Sequence, residues 1–234
     1  MDKLQKYKPT DKMIDLIGDN YSLLQVMSRF GLSLGFGDKT VKEVCEMNNV
    51  DCQTFLVVVN FMAEGFSRMD GSADDISIPA LVDYLRQAHI YFLDYCLPAI
   101  RRKLIEAIDC SQDDVSFLIL KFFDGYMREV RKHMEYEEKT VFKYVDTLIH
   151  GNAPKNYQIS TFSKHHDPVG ERLTELKNII IKYCPAKANT NVLNAALFDI
   201  YACEEGLESH CKVEDYLFVP AILKLERRMR ENEK

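Results

Sequence analysis

The chain has 234 residues, of which 47% are hydrophobic and 28% are charged, and its formal net charge is −6. The hydrophobic fraction excludes a largely disordered chain, and the low counts of 10 glycines and 7 prolines favour an all-α protein over one with many short strands. The acidic balance argues against nucleic-acid or membrane-surface binding, since both need clustered lysine and arginine.

The first 20 residues lack the apolar core of a signal peptide, and no apolar run is long enough to predict a transmembrane helix. The seven cysteines are odd in number and include no Cys-x-x-Cys pair. Such a set is typical of free thiols and not of a disulfide framework or a cysteine-rich zinc site. We therefore expect a cytoplasmic protein.

Residues 1–66 predict a small helical domain. Apolar spacing indicates one helix over 22–29, a second that follows Asp38 or Lys39 and runs through Met47, and a third over 51–62, with Asp51 placed to cap the third. The glycine-rich stretch 31–37 predicts the loop between the first two helices. Residues 67–77 are rich in Gly, Ser and Asp, so they predict a linker to a second domain over 78–234.

Four long amphipathic segments follow, joined by short connections. They run over 78–100, from the capping signal Ser111-Gln112-Asp113 to Leu148, over 158–184, and over 191–231. Pro98 is expected to kink the first helix and Pro220 to bend the fourth. This pattern predicts an up-down-up-down four-helix bundle.

Each long helix carries one histidine on its apolar face, and two of these histidines precede a glutamate by four residues. Because residues four apart lie on one face of a helix, both members of each pair can point into the bundle. A buried carboxylate is costly unless it is paired or bound to a metal. The six candidate metal ligands are His89, His133, Glu137, His166, His210 and Glu214.

Six nitrogen and oxygen donors are too many for one tetrahedral zinc, and the absence of thiolate favours iron or manganese. Two metal ions that share two carboxylates, with two histidines each, would use the whole set. The adjacent His165 would point about 100° away from His166 on the same helix, so we expect it to lie at the surface or to contact a metal ligand without binding metal itself.

Three motifs resemble a known family. They are His133-Met-Glu-Tyr-Glu137-Glu138, His165-His166-Asp167-Pro-Val-Gly170, and His210-Cys-Lys-Val-Glu214 with Pro220 after it. The sequence resembles the hemerythrin-like cation-binding domain, and specifically the repair-of-iron-centres (RIC) family of di-iron proteins. The resemblance covers most of the chain.

The N-terminal stretch from Phe30 to Val41 resembles the small helical domain that precedes the bundle in that family. Where relatives often carry Cys-Cys-Gly-Gly, this chain has Leu34-Gly35-Phe36-Gly37. A redox or iron-handing role that needs the cysteine pair is therefore not transferred to Cys45 or Cys52.

The resemblance implies two iron ions with an oxo or hydroxo bridge, with manganese as the alternative metal and Glu137 and Glu214 as bridging carboxylates. It implies a role in nitrosative or oxidative stress, by iron donation to damaged iron–sulfur clusters or by NO or O₂ chemistry. The expected partners are NO or O₂, iron–sulfur client proteins and a second copy of the chain.

Two other functions are compatible with the same residues. One is an O₂ or NO carrier or sensor that acts without turnover. The other is a metal-free helical interaction protein, in which the histidines and glutamates form a buried polar network. A hydrolase is disfavoured, since no catalytic triad or phosphate-binding glycine loop has a recognisable spacing.

Overall fold

A computed structural model describes residues 6–64, 76–108, 114–152, 157–165, 171–185 and 188–232. Within these ranges the secondary structure is helical, apart from one isolated bridge between Lys12 and Thr40. The all-α prediction is therefore confirmed. The chain divides into two compact units, one drawn from 1–88, 147–163 and 212–234, the other from 89–146 and 164–211.

The predicted division into a domain over 1–66, a linker over 67–77 and a bundle over 78–234 stays a prediction. Most of that linker, residues 67–75, lies outside the described residues. The predicted capping signal Ser111-Gln112-Asp113 lies outside them as well, as does Cys110. The other six cysteines are free thiols, as expected.

The N-terminal helices are α1 (Met13–Asp19), α2 (Leu23–Arg29), α3 (Val41–Met47) and α4 (Cys52–Glu64). The last three match the predicted helices closely, whereas α1 was not predicted. Helix α1 buries only Met13 and Leu16, which is too few apolar positions to show a helical period.

Local hydrogen bonds explain where α3 and α4 begin. The hydroxyl of Thr40 accepts from the backbone N–H of Glu43 at 3.3 Å, and the Glu43 carboxylate accepts from the N–H of Thr40 at 2.8 Å, which is a capping box. Asp51 accepts from the N–H of Thr54 at 2.7 Å, so its predicted role as the cap of α4 is confirmed.

Helix α4 is buried on all sides over 54–61, which makes it the centre of the N-terminal core. The ring of Phe30 packs edge-on against Phe55, with ring centroids 5.4 Å apart, and in a tilted arrangement against Tyr84 at 4.9 Å. The one buried amide of this stretch, Asn60, accepts from the N–H of Tyr7 at 2.8 Å and donates to its carbonyl at 3.0 Å. Both polar ends of that amide are thereby satisfied by one backbone residue.

The long helices agree with the four predicted segments. The first includes α5 (Ile78–Ile90), π1 (Tyr91–Cys96) and α6 (Leu97–Ala107), where π denotes a π-helical part; the second includes α7 (Asp114–Tyr136), π2 (Glu137–Phe142) and α8 (Lys143–Ile149); the third includes α9 (Ile159–His165) and α10 (Glu171–Tyr183); the fourth includes α11 (Thr190–Val213), π3 (Glu214–Phe218) and α12 (Val219–Asn232).

Two of the long helices continue past a proline, and in each a π-helical turn precedes that proline. A proline has no N–H to donate, and its ring clashes with the carbonyl four residues earlier. Pro98 and Pro220 each come two residues after the end of a π segment, π1 and π3 respectively. The wider turn accommodates the proline within a continuing helix. Segment π2 has no proline near it, and no sequence signal predicted it.

Ion pairs join the helices of the second unit. Arg101 on α6 donates two hydrogen bonds to Asp124 on α7, at 2.6 and 3.1 Å, and Lys103 on α6 reaches Asp199 on α11 at 2.6 Å. Hydrogen bonding from Arg101 holds the pKa of Asp124 below its ordinary value. No described helix is both long and apolar enough to cross a membrane.

Candidate metal centre

Four buried side chains converge in the helical interior: His89, Glu137, His210 and Glu214. One donor atom from each lies within 4.8 Å of the others. His89 lies in the last turn of α5, and His210 lies one turn before Glu214 on the same helix. The four donors are therefore close enough to share a metal ion.

His133 lies beside this cluster. Its Nε2 atom is 2.9 Å from Oε1 of Glu137, while Nε2 of His89 is 3.0 Å from Oε2 of the same carboxylate. Glu137 is thus held between two imidazoles, one on each oxygen. The His133 side chain is 16% exposed, whereas that of Glu137 is fully buried, so the cluster approaches the surface at His133.

The electrostatics keep Glu137 ionised. Burial by itself raises the pKa of this carboxyl, but hydrogen bonds from His133 and His89 and the nearby charges of His133 and His210 lower it by more. The pKa of Glu137 consequently lies below its ordinary value. The carboxylate oxygens and the imidazole nitrogens that face them are all atoms that can bind a metal, and the fold already places them close together.

Aromatic rings enclose the histidines. Phe142 stacks on His89 with ring centroids 5.4 Å apart and an interplanar angle of 13°. Phe92 meets His210 edge-on at 6.1 Å, and the two histidine rings lie 5.1 Å apart. Phe92 and Phe142 are completely buried, so they restrict both the ring orientations and the access of water.

Two of the π segments begin at the candidate carboxylates. Glu137 is the first residue of π2 and Glu214 is the first residue of π3. Each glutamate follows a histidine by four residues, so each His-x-x-x-Glu pair ends where the helix widens. Single π turns inside α-helices occur frequently at functional sites, because they change the direction of side chains without ending the helix.

The structure brings five of the six predicted ligands together. Four form the cluster, and His133 contacts it through Glu137. The sixth, His166, lies outside the described residues, and so does the side chain of His165. The assignment of these residues as metal ligands remains a prediction.

One residue at the cluster was missed at the sequence level. Oε1 of Glu138 lies 2.9 Å from Nδ1 of His89. Glu137 was predicted because it lies on the apolar face of its helix. Glu138 does not lie on that face, since adjacent residues on an α-helix point about 100° apart. Its position next to Glu137 was the only available signal.

Comparison with protein families identifies the domain. A family model of the hemerythrin HHE cation-binding domain matches residues 80–222, which is more than half of the chain. The chain belongs to the hemerythrin HHE cation-binding family. A comparison with curated proteins finds no match.

The donor set of this HHE domain fits a metal cation. The four converging residues offer two imidazoles and two carboxylates, all buried. Buried carboxylates need a compensating positive charge, and nitrogen and oxygen donors without thiolate suit iron and manganese.

Proposed function

We propose that this HHE protein is a non-haem di-iron protein that acts in nitrosative or oxidative stress. The observation that carries the proposal is the pair of fully buried carboxylates, Glu137 and Glu214, within 4.8 Å of His89 and His210. A domain whose family binds metal cations and whose interior concentrates these donors is best explained as a metal protein.

The number of donors supports two metal ions. Glu137 and Glu214 would be the shared carboxylates, as the family resemblance implies, and the histidines would be divided between the metals. His133 and His166 complete the proposed set. Manganese remains the alternative metal. Bound iron would supply open positions for a diatomic ligand and a change of oxidation state.

The surrounding residues favour a small ligand. Phe92 and Phe142 pack against the histidines and exclude bulk water from the interior. The partial exposure of His133 supports exchange of a diatomic molecule or of iron on that side. These features are compatible with NO or O₂ chemistry and with iron donation to iron–sulfur client proteins, which the resemblance to the RIC family implies.

The first experiment is a metal analysis of the full chain purified anaerobically from iron-supplemented cells. We expect about two iron ions per chain and a visible spectrum that changes when NO is added. Reversible O₂ binding without turnover would favour a carrier instead. A stable helical protein without metal, whose thermal stability does not respond to chelators, would contradict the proposal.

A ligand variant and a matched control distinguish the loss of metal ligands from a general effect of substitution on iron content. A double variant, His133→Ala with Glu137→Ala, is expected to lose most of the iron, since it removes two donors. His150→Ala is the control, because His150 is an exposed histidine outside the cluster. Full iron loading in the double variant would rule out this site.

A further inference from the structure

The His89 ring is held by contacts on both of its nitrogen atoms. Nε2 lies 3.0 Å from Glu137, and Nδ1 lies 2.9 Å from Oε1 of Glu138. The His89 side chain is only 4% exposed, whereas that of Glu138 is 36% exposed. The second glutamate therefore approaches the buried ring from the solvent side.

Segment π2 supplies every one of these contacts. Glu137 and Glu138 are its first two residues, and Phe142, which stacks on the same imidazole, is its last. A π-helical turn holds more residues than an α-helical turn. Neighbouring side chains are consequently separated by a smaller angle, and two consecutive glutamates can meet one ring.

The chemistry of imidazole assigns different roles to these two glutamates. A neutral histidine that coordinates a metal through Nε2 carries its proton on Nδ1, and an acceptor at Nδ1 fixes both the tautomer and the ring orientation. Glu137 faces the nitrogen directed into the cluster, while Glu138 faces the other.

We propose that Glu138 is a positioning residue: it accepts the Nδ1–H hydrogen bond of His89 and so holds Nε2 toward the metal cluster. The inference rests on the proposed function, because it assumes that His89 binds a metal. Glu138 itself contacts no metal in this arrangement, and its effect is transmitted through the imidazole.

The test measures metal affinity in the full chain with Fe(II) under anaerobic conditions, by competition with a chromophoric chelator. Glu138→Ala is expected to weaken binding by about 10–100-fold. Glu138→Gln keeps an oxygen acceptor and is expected to lose less. Glu135→Ala is the control, since Glu135 is an exposed carboxylate of the same helix that pairs with Lys139 at 2.8 Å.

A second measurement separates positioning from a general loss of stability. In the Co(II)-loaded protein, an imidazole N–H next to the metal gives an exchangeable, strongly shifted proton resonance. We expect the His89 resonance to broaden or move in Glu138→Ala, to persist in Glu138→Gln, and to stay unchanged in Glu135→Ala. Circular dichroism establishes that each variant is folded, and the glutamine variant keeps the test valid if the alanine variant is not.

The outcomes distinguish this inference from the proposed function. A wild-type protein that binds neither iron nor cobalt overturns both. A wild-type protein that binds metal, with unchanged affinity and an unchanged N–H resonance in Glu138→Ala, overturns only the role of Glu138.

Discussion

Asn60 in the N-terminal region and Glu137 in the second unit are both buried polar side chains, but they are satisfied in different ways. The Asn60 amide makes hydrogen bonds of 2.8 and 3.0 Å to the backbone of Tyr7. The Glu137 carboxylate instead faces the imidazoles of His89 and His133 at 3.0 and 2.9 Å. The backbone N–H of Tyr7 has no lone pair to offer a metal ion, whereas a neutral imidazole has one ring nitrogen that can bind a metal.

A structural polar group and a functional one differ in the chemistry that their partners can perform. The Asn60 amide completes a hydrogen-bonding requirement of the fold, and its partners have no other chemistry. Two partners of Glu137, the imidazoles of His89 and His133, are groups that can bind a metal, in a domain whose family binds cations. Substitution of Glu137 should therefore remove metal, whereas substitution of Asn60 should not.

Replacing Glu137 should give the largest effect and should act on the metal. In Glu137→Leu we expect metal affinity to fall by more than about 100-fold, because removing a ligand costs more than removing a residue that supports one. The metal-free variant should also be less stable than the metal-free wild type, since the buried imidazoles of His89 and His133 lose their carboxylate partner. Isothermal titration and thermal unfolding with a chelator measure the two quantities.

Replacing Asn60 should act on stability alone. In Asn60→Leu the N–H and carbonyl of Tyr7 lose their partners, and we expect the free energy of unfolding to fall by about 1–3 kcal/mol. Urea denaturation measures the loss. Metal content of the folded variant should match that of the wild type, and a clear decrease would contradict the distinction between the two sites.

Replacing Thr40, the exposed cap of α3, should have a smaller effect on stability than replacing Asn60. Thr40→Ala removes the hydroxyl that accepts from Glu43 and should lower the free energy of unfolding by about 1 kcal/mol. Thr40→Ser retains the acceptor and should recover most of the loss. Equal stability of the two variants in urea would show that the hydroxyl of Thr40 contributes nothing to the capping box.

The smallest effect concerns the ion pair of Arg101 and Asp124, which lies nearer to solvent than either buried group. The pKa of Asp124 is lowered in the folded protein, so the pair stabilises the fold above the ordinary value of 3.8 and the contribution is lost as the pH falls through the lowered pKa. The Arg101 side chain is 41% exposed, so screening keeps the contribution below about 1 kcal/mol.

The measurement is urea denaturation of the metal-free wild type and Arg101→Met from pH 7 to pH 2. We expect the wild type to be slightly more stable at neutral pH and the difference to disappear at the acidic end. A difference that grows on acidification would contradict the assigned direction of the pKa shift.

The sequence predicted most of the helices but not the π turns within them. Helices 41–47 and 51–62 were recognised because their apolar periodicity and the cap at Asp51 are local signals. Helix α1 was missed, since it buries only two residues. Segment π2 was missed because it has no proline, while Pro98 and Pro220 had marked the positions of the other two irregular turns.

For the candidate site, the sequence predicted the residues on the inner helix faces but not the contacts between helices. The spacing of His210 and Glu214 placed both residues on one helix face, and the structure brings them into one cluster with His89 and Glu137. Glu138 was not singled out, because its contact with His89 spans 49 residues of sequence and depends on how two helices meet.

The amino-acid sequence was sufficient to predict an all-α chain, the positions of its long helices, and a set of histidines and glutamates on their inner faces. Helical periodicity is a local property, so it can be read from neighbouring residues. The tertiary structure decided which donors meet, which carboxylate contacts each ring nitrogen, and which buried amide is satisfied by the backbone. These contacts join residues distant in sequence, and only the packing of the helices brings them within hydrogen-bonding distance.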